Sequence, residues 1–323
     1  MTHHHLVAGP DTVRWGCWDS SLPPVLRVRS GDTVTVETLS GEPEDMPAPE
    51  LGFEILEAHR AVHQNGDRGP GPHFLTGPIH VHGAAPGDVL EVAFEAIELW
   101  QDWGWNLQAP LLGTLPEDFP DLRRLHIPLD RDRMVARLPW GQELPLKPFF
   151  GVVGVAPPPA WGRLTSVLPR AFGGNMDNKE LTVGSILYLP VFNDGALFSV
   201  GDGHGVQGDG EVCLTAIETC MRGTVRLTVR KDLRLDLPRA QTPDAWITMG
   251  FDEDLDDAAK QALRAMIKLI GELTGLSRQD AYTLCSLAAD LRVTQTVDVN
   301  KGIHCVLRKE HFPARQSLGQ PRL

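Results

Sequence analysis

Disulfide chemistry has little support in this sequence. Its 323 residues include only five cysteines, scattered without a Cys-x-x-Cys pair. An odd, sparse set of thiols does not build a disulfide framework and is typical of a reducing compartment. We therefore expect a cytoplasmic protein, and we expect Cys213 to be a buried strand residue that packs as a small hydrophobe.

Long apolar runs are also missing. The longest candidate, residues 186–200, is interrupted by Pro190, Asn193, Asp194 and Gly195, and about 20 apolar residues are needed to cross a bilayer. No basic segment followed by an apolar one opens the chain, so we expect no signal peptide. The formal net charge of −12 disfavours nucleic acid and anionic membrane as partners, because both are negatively charged.

The sequence lacks the common motifs of serine and cysteine hydrolases. It has no Gly-x-Ser-x-Gly elbow and no glycine- and serine-rich segment with a Ser-Ser-Lys core. A Cys-Glu-Lys arrangement would need a cysteine in a turn flanked by Glu and Lys, whereas Cys213 lies in an apolar run. These absences favour another source of the nucleophile.

Most of the chain has a β-strand pattern. Hydrophobic residues make up 42% and charged residues 22%, which is typical of a soluble globular protein. Alternating residues predict strand–turn–strand hairpins at 25–38 and 78–97. Residues 101–150 are rich in Trp and Pro, so we expect long ordered loops with a few short strands that cover a cleft. Residues 151–235 return to the β pattern.

The C-terminal part is predicted to contain two helices. Apolar residues at helical spacing indicate one at 254–274. Ser277 and Asp280 approximate a capping box for a second at 278–291. Strands are expected at 293–299 and 303–307. The predicted fold class is mainly β (α+β), with sandwich- or barrel-like sheets and a helical C-terminal segment. Two domains are expected: a β-rich 1–150 with Trp/Pro-rich loops, and a β-rich 151–323 with the helices and a metal-site loop.

Residues 201–211 are the most informative segment. They contain five glycines, three acids and one histidine. Glycine permits tight turns, and acids with imidazole are ligands for Zn²⁺ or Ca²⁺. In an extended segment Asp202 and His204 point to the same face, so both can reach one ion. The alternative is a loop held by Asx-turn hydrogen bonds.

Other candidates lie nearby in the sequence. Asp177 follows two glycines, which indicates either a ligand or a tight turn, and Asn175 can orient a substrate amide. Glu211 can be a general base, a ligand or a surface residue at the start of a strand. Strand alternation predicts that Glu218 faces away from Glu211.

The histidines leave more alternatives open. His59 and His63 are four residues apart and would share a helical face, and His63 is a candidate fourth ligand. Packing or solvent exposure is the plainer interpretation of a single histidine. The sequence does not decide which of five histidines reach the site: His59, His63, His73, His80 and His82. His126 and His304 are expected to be structural.

An ordered set of motifs resembles the acetamidase/formamidase family. They are TGPIHVHGAAPGD (76–88), GGNMDNK (173–179), LYLPV (187–191) and GALFSVGDGHGVQGDGE (195–211), and the resemblance extends from about residue 5 to about 309. It implies a cytosolic, oligomeric, largely β enzyme that uses a metal to hydrolyse short aliphatic amides. Two departures, His82 in place of a more usual acid and a histidine-rich segment at 58–73, leave open a subgroup with a different substrate.

The resulting hypothesis is a metal-dependent amidohydrolase of formamide or acetamide. Asp202, His204 and Asp177 hold one or two ions of zinc or calcium, with His63 as the fourth ligand. Glu211 moves the proton and Asn175 helps to hold the substrate. An amide requires such help because its carbonyl is resonance-stabilised and its amine leaves poorly. The expected partners are a small amide and further copies of the chain, as a homo-dimer or larger oligomer. The alternatives are a hydrolase of another linear or cyclic C–N compound, and a non-catalytic protein that binds metal or small ligands.

Overall fold

The structure, a computed structural model, describes residues 1–312; the end of the predicted second domain, 313–323, lies outside the described residues. The α-helices in that range are α1 (Glu57–Asn65), α2 (Leu255–Thr274) and α3 (Arg278–Ala288). The first twelve strands are β1 (His3–Leu6), β2 (Val13–Trp15), β3 (Cys17–Trp18), β4 (Leu26–Arg29), β5 (Asp32–Thr38), β6 (Phe74–His82), β7 (Val89–Leu99), β8 (Trp103–Gln108), β9 (Arg123–Asp130), β10 (Val135–Arg137), β11 (Glu143–Pro145) and β12 (Phe149–Gly154). The remaining strands are β13 (Leu164–Thr165), β14 (Gly173–Asn175), β15 (Ile186–Pro190), β16 (Phe198–His204), β17 (Met221–Arg230), β18 (Arg239–Gln241), β19 (Ala245–Asp252), β20 (Ala289–Gln295) and β21 (Lys301–Arg308).

Two large sheets share one hydrophobic core. Nine strands follow the order β1-β5-β17-β7-β15-β18-β19-β21-β20, and six follow β14-β12-β16-β6-β2 with β4 beside β6. Alternate apolar residues of both sheets pack in the same cluster, including Val28, Val34, Val36, Ile79, Val81, Leu90 and Val92. This arrangement confirms the prediction of a mainly β, sandwich-like fold with a helical C-terminal segment.

Strands from both sides of residue 150 are neighbours in the two large sheets. In the nine-stranded sheet β7 pairs with β15 and β17. In the six-stranded sheet β6 pairs with β16. The predicted boundary near residue 150 therefore does not separate one sheet from another.

The two predicted hairpins are wrong in their pairing. β4 pairs with β6 in the six-stranded sheet, whereas β5 pairs with β1 and β17 in the nine-stranded sheet. Likewise β6 and β7 belong to different sheets. The glycine turns between these strands carry the chain from one layer to the other, so the alternating apolar residues meet across the sandwich.

Residues 101–150 are more regular than predicted. Strands β8 to β11 form a four-stranded antiparallel sheet in the order β11-β10-β9-β8. Pro128 lies beyond the residues that pair β9 with β10, and Pro145 ends the edge strand β11. Proline is tolerated at such positions because few ladder hydrogen bonds are lost there. The longest irregular stretch of this region is 109–122.

The helical segment packs on the far end of the nine-stranded sheet. α2 begins as predicted, where the Asp254 carboxylate accepts hydrogen bonds from Asp256 N (2.8 Å) and Asp257 N (3.2 Å). α3 ends at Ala288 rather than at 291, because the next residues pair with β21 in β20. Within 1–312 no helix has the length and apolar character to cross a membrane.

Candidate functional site

Strand β16 brings the two central predicted residues together. Asp202 and His204 are buried and lie on the same face, with Asp202 Oδ2 at 3.1 Å from His204 Nε2. Asp177, two residues after β14, places Oδ1 at 3.9 Å from the same nitrogen. The alternation that the sequence predicts for residues 202 and 204 is therefore present in the structure.

A glycine on the neighbouring strand makes this convergence possible. β12 pairs with both β14 and β16, and Gly151 lies beneath the three side chains. A Cβ at Gly151 would lie 2.4 Å from Asp177 Oδ1, 2.6 Å from Asp202 Oδ2 and 2.8 Å from His204 Cε1. These distances are below van der Waals contact, so any larger residue would push the cluster apart.

Glu218 belongs to the site, and the prediction that it faces away is wrong. Its Oε1 lies 3.1 Å from His204 Nε2. Residues 212–218 form turns rather than a strand, so strand alternation does not apply to them. The backbone of Glu218 instead bridges Trp105 and His204, which fixes the carboxylate beside the imidazole. The same turns leave Cys213 partly exposed, not in a buried strand as expected.

Two further acids complete the cluster. Glu211 lies with Asp177 and His204 in a group whose candidate ligand atoms are all within 4.8 Å of one another. Asp298 is a buried residue of the loop between β20 and β21 and faces Asp177. No sequence motif indicated Asp298, because 293–299 has a strand pattern. In the structure the Gln295 side chain accepts hydrogen bonds from Val297 N and Asp298 N (2.9 and 3.2 Å) and turns the chain.

Several oxygen atoms of the cluster have no donor. Within residues 1–312 the buried atoms without a hydrogen-bond partner include Asn175 Oδ1, Asp177 Oδ1 and Oδ2, Glu211 Oε2, Glu218 Oε2 and Asp298 Oδ2. Buried polar atoms are almost always paired, and an unpaired buried carboxylate is costly. A group of converging acceptors therefore requires cations, as protons or as a metal ion.

Gln207 determines the tautomer of His204. The Gln207 Nε2 group donates to Asp177 O (2.9 Å) and Thr294 O (3.3 Å), so its Oε1 must be the acceptor for His204 Nδ1 at 2.9 Å. Nδ1 therefore carries a proton, and Nε2 faces the acids. A histidine that binds a metal through Nε2 usually donates its other ring N–H to such an acceptor, which fixes the orientation of the ring.

Burial shifts the acids toward their neutral forms. Burial raises the pKa of Glu218 to about 8. The charge of His204 opposes this rise, and the charge of Asp202 adds to it. Burial is the main reason that the pKa values of Glu211 and of Asp298 lie well above the usual range, and the negative charge of Asp177 raises both further. These carboxyl groups retain protons unless another cation replaces them.

Attraction between the imidazole groups and the carboxylates favours the charged forms of both. Burial disfavours the charged form of His204, yet the carboxylates of Glu218 and Asp202 raise its pKa well above 6.5. Burial also opposes the charge of Asp202, but His73 and His204 outweigh it and lower the pKa of that carboxyl group. The site therefore contains a fixed anion beside a group that is readily cationic.

The cluster forms the base of a cavity of about 420 Å³. His73 reaches this cavity, with Nε2 at 3.9 Å from Asp202 Oδ2 and Nδ1 at 2.9 Å from Ser166 Oγ. Asn175 also lines it, beside the acids, as a residue that orients a substrate amide would. Trp105 forms part of the wall. The cavity thus joins a polar base to a partly apolar wall.

The remaining histidines do not reach the acid cluster. His63 is the predicted fourth ligand, but it lies on α1. Its Nε2 bonds to Gly41 O at 3.1 Å, and its ring packs near Trp15 and Phe74. His59 bonds to Ser40 O at 2.9 Å. The rings of His80 and His82 pack against each other. His126 and His304 bond to Asp45 O and Thr294 Oγ1, in agreement with structural roles.

The donor set fits a divalent cation. Within residues 1–312 two groups share His204: Asp177, His204 and Glu211, and Asp202, His204 and Glu218. Carboxylates suit hard ions such as Ca²⁺, and imidazole suits Zn²⁺. Asp177, Asp202 and Glu211 also have left-handed backbones, with φ of 48°, 55° and 47°. Such conformations concentrate at functional sites, where the surrounding fold maintains them.

The fold and the site define a β-sandwich protein with a buried acid–imidazole centre at the base of a cavity. The Acetamidase/Formamidase family matches residues 8–163 and 160–312, and the chain belongs to this family. It is similar to an acetamidase from Bacillus halodurans (31% identity, TM-score 0.82, 95% of this chain and 98% of that one). It is also similar to a predicted acetamidase/formamidase from Thermoanaerobacter tengcongensis (30%, TM-score 0.83, 96% of both chains).

A curated relative shows a more limited match. The formamidase from Methylophilus methylotrophus is 27% identical in an alignment 268 residues long that covers 67% of this chain. The aligned part spans only 63% of that relative's own length.

Proposed function

We propose that this protein hydrolyses short aliphatic amides, such as formamide and acetamide, to a carboxylate and ammonia with the help of a divalent cation. The observation that carries the proposal is the cluster of buried acids with unpaired oxygens around His204 at the base of a cavity. Similarity to proteins named formamidase and acetamidase supports the choice of amides.

The residues that would hold the ion are Asp177, Asp202, His204 and Glu218. Glu218 takes the place that the sequence hypothesis gave to His63. When bound, such an ion lowers the pKa of water and polarises the substrate carbonyl. A single imidazole with three carboxylates fits either zinc or calcium. The two overlapping groups share His204, whose Nε2 can bind only one ion, so a second ion would be held by carboxylates alone.

The remaining polar residues position the substrate and move the proton. Glu211 has a raised pKa and an unpaired Oε2, so it can take a proton from the attacking water and give it to the leaving nitrogen. Asn175 Oδ1 can accept a hydrogen bond from the substrate amide. Gln207 holds His204 in the required tautomer.

The test measures ammonia release from formamide and acetamide on one metal-analysed preparation, before and after chelation. We expect activity to disappear on chelation and to return with zinc or calcium. Asp202→Asn should lose both metal and activity. Asp209→Asn is the matched control, because Asp209 lies in the same segment but pairs with Lys179 at 2.9 Å outside the cavity. Stoichiometric metal without ammonia release from any amide would reject the proposal in favour of a binding role.

We also propose a homo-oligomer. Support comes from β20, an edge strand of the nine-stranded sheet. Leu291 of this strand is exposed, as are Tyr282 and Leu287 of the preceding α3. Edge strands with apolar neighbours are common sites of self-association. Light scattering on the purified protein would give the subunit number, and a monomeric mass would reject the oligomer.

We also propose a cytoplasmic location. The five cysteines are free thiols, which supports it, because reducing compartments keep thiols unpaired.

A further inference from the structure

The cavity is larger than formamide or acetamide requires. Acetamide has four heavy atoms, and at roughly 30 Å³ for each, the share of one water molecule in the liquid, it would fill about 120 Å³. The cavity has about 420 Å³. More than half of the space therefore remains beyond a small amide bound at the acids, in the size range of pockets for larger ligands.

Three connected segments form part of the cavity wall: 109–115, 212–215 and 296–300. The third segment includes Asp298 of the acid cluster, so the wall is continuous with the base of the cavity. Hydrogen bonds join the first two, from Thr114 N to Val212 O at 2.9 Å, and the hydroxyl groups of Thr114 and Thr296 join the first and third. These contacts hold the segments as one rim.

Four of the six residues that this rim contributes to the cavity are aliphatic, the other two being Thr215 and Asp298. The aliphatic four are Leu112, Leu214, Val297 and Val299, which we call the apolar collar. Leu112 is 49% exposed and Val299 is 59% exposed, so these apolar surfaces remain uncovered at the opening. An uncovered aliphatic surface beside a polar base favours a ligand with a polar head and an apolar tail.

The backbone of the rim is strained at aliphatic residues. Leu111, Leu214 and Val299, one in each segment, have φ of 65°, 118° and 64°. Large or β-branched residues rarely adopt positive φ, which glycine adopts readily. Strained backbone is typical of ligand clamps. Its presence in all three rim segments is an observation independent of the cavity volume.

We propose that the preferred substrates are primary amides with an unbranched acyl chain of about four to six carbons, whose tail contacts the apolar collar. This inference rests on the proposed amide hydrolysis and specifies its substrate. The amide group lies at the acids, and the chain extends between Leu112, Leu214 and Val299 toward the rim. Formamide and acetamide would reach the acids but not the collar.

The first experiment compares kcat/KM for formamide, acetamide, butyramide and hexanamide. Burial of each methylene group on the collar should raise kcat/KM roughly threefold, so hexanamide, with four more methylene groups, should exceed acetamide by about 80-fold. A flat series, or one that falls with chain length while acetamide is hydrolysed, would overturn the inference and leave the amidase function intact.

Variants of nearly unchanged shape locate the effect. Leu214→Asn keeps the heavy-atom outline of the side chain, and Val299→Thr keeps the branched shape, while each makes the collar more polar. Both should lower the ratio of hexanamide to acetamide kcat/KM by about threefold to tenfold. Leu115→Asn is the matched control, because Leu115 is an exposed leucine of the same rim segment that does not line the cavity; the ratio should stay unchanged.

Binding measurements separate this inference from the amidase function. Should no amide release ammonia, hexanamide should still raise the Tm of wild type more than acetamide at equal concentration, and Leu214→Asn should remove the difference. Equal Tm shifts with both amides would overturn the proposal that the collar binds the acyl chain. Collar variants that change the mass in light scattering but not the selectivity ratio would assign the collar to contact with a second copy, which also overturns the proposal.

Discussion

The acid cluster and the helical C-terminal segment differ in how well local sequence preference agrees with the tertiary structure. α2 has a capped first turn at Asp254, a left-handed glycine after its last residue at Gly275, and an apolar face packed on the sheet. The acid cluster instead has buried carboxyl groups with unpaired oxygens and acids in left-handed backbones. Local preference and tertiary structure agree in the first region and conflict in the second.

This difference indicates where the fold serves function. Sequences are usually consistent at every level, and exceptions concentrate at functional sites. The C-terminal segment contributes stability through the apolar residues of its own cluster. The acid cluster is retained at a cost in stability, because buried carboxylates are poorly solvated. Substitutions should therefore have opposite effects in the two regions.

The largest effect is expected for Glu218→Gln. The change keeps the shape but removes one carboxylate beside His204. Activity should fall on the order of 10³-fold, because a group that positions charge at the reacting centre is lost. Urea unfolding of the chelated variant should give a free energy of unfolding at least equal to that of wild type. A clear loss of stability would remove the contrast between the regions.

Acid should destabilise the fold through two buried histidines that lie outside the acid cluster. Burial lowers the pKa of His59 and of His304 to about 4. Between pH 6.5 and pH 4 the unfolded chain binds protons that the folded state excludes, so stability falls as the pH falls, by about 3 kcal/mol for each residue. Urea unfolding of chelated protein at several pH values measures this slope.

Two polar substitutions isolate these contributions. His59→Gln can retain the hydrogen bond to Ser40 O, and His304→Asn can retain the one to Thr294 Oγ1. Each should reduce the pH dependence of the free energy of unfolding below pH 6.5. A slope equal to that of wild type would show that other groups cause the acid sensitivity.

Two glycines should separate function from stability. Gly151→Ala puts a methyl group against the acids and His204, and a displacement of this size should lower activity about 10²-fold. Gly250→Ala puts one against Ala258 O on α2, and overpacking should cost about 1–3 kcal/mol of stability. Activity per folded molecule should remain normal in Gly250→Ala, and the reverse pattern would contradict the comparison.

Gln207→Leu should act on the ion through His204. It removes the acceptor at His204 Nδ1, and loss of such a partner usually weakens metal affinity by about 10- to 100-fold. Competition with a coloured chelator measures the affinity directly. Unchanged affinity would show that Gln207 has only a packing role.

Asp254→Ala should have the smallest effect. The substitution removes the side-chain acceptor for two amide groups at the start of α2, which should cost about 1 kcal/mol of stability. Metal content and activity should not change, since α2 lies on the far end of the sheet. Thermal unfolding and metal analysis together check this outcome.

Sequence reasoning succeeded where the determining interactions are local. The start of α2 and the Ser277 cap of α3 follow from residues within one turn. The common face of Asp202 and His204 follows from strand geometry alone. Sequence reasoning failed for Glu218, because the pattern of residues 212–218 suggests a strand although the chain forms turns there.

Pairing over long distances explains the other failures. Strands β4 and β5 look like a hairpin, but each finds a better partner in a different sheet. His63 has the spacing of a ligand, yet α1 directs it to Gly41 O. Asp298 carries no local signal and enters the site only because its loop lies against Asp177.

The sequence by itself determined the β-rich class, the helices and the ligand-type residues of 201–211, because strand alternation, helical spacing and capping act over a few residues. Only the tertiary structure decided which acids surround His204. Their meeting depends on Gly151 beneath them and on loops from distant parts of the chain, and these contacts are set by the packing of the two sheets rather than by any local pattern.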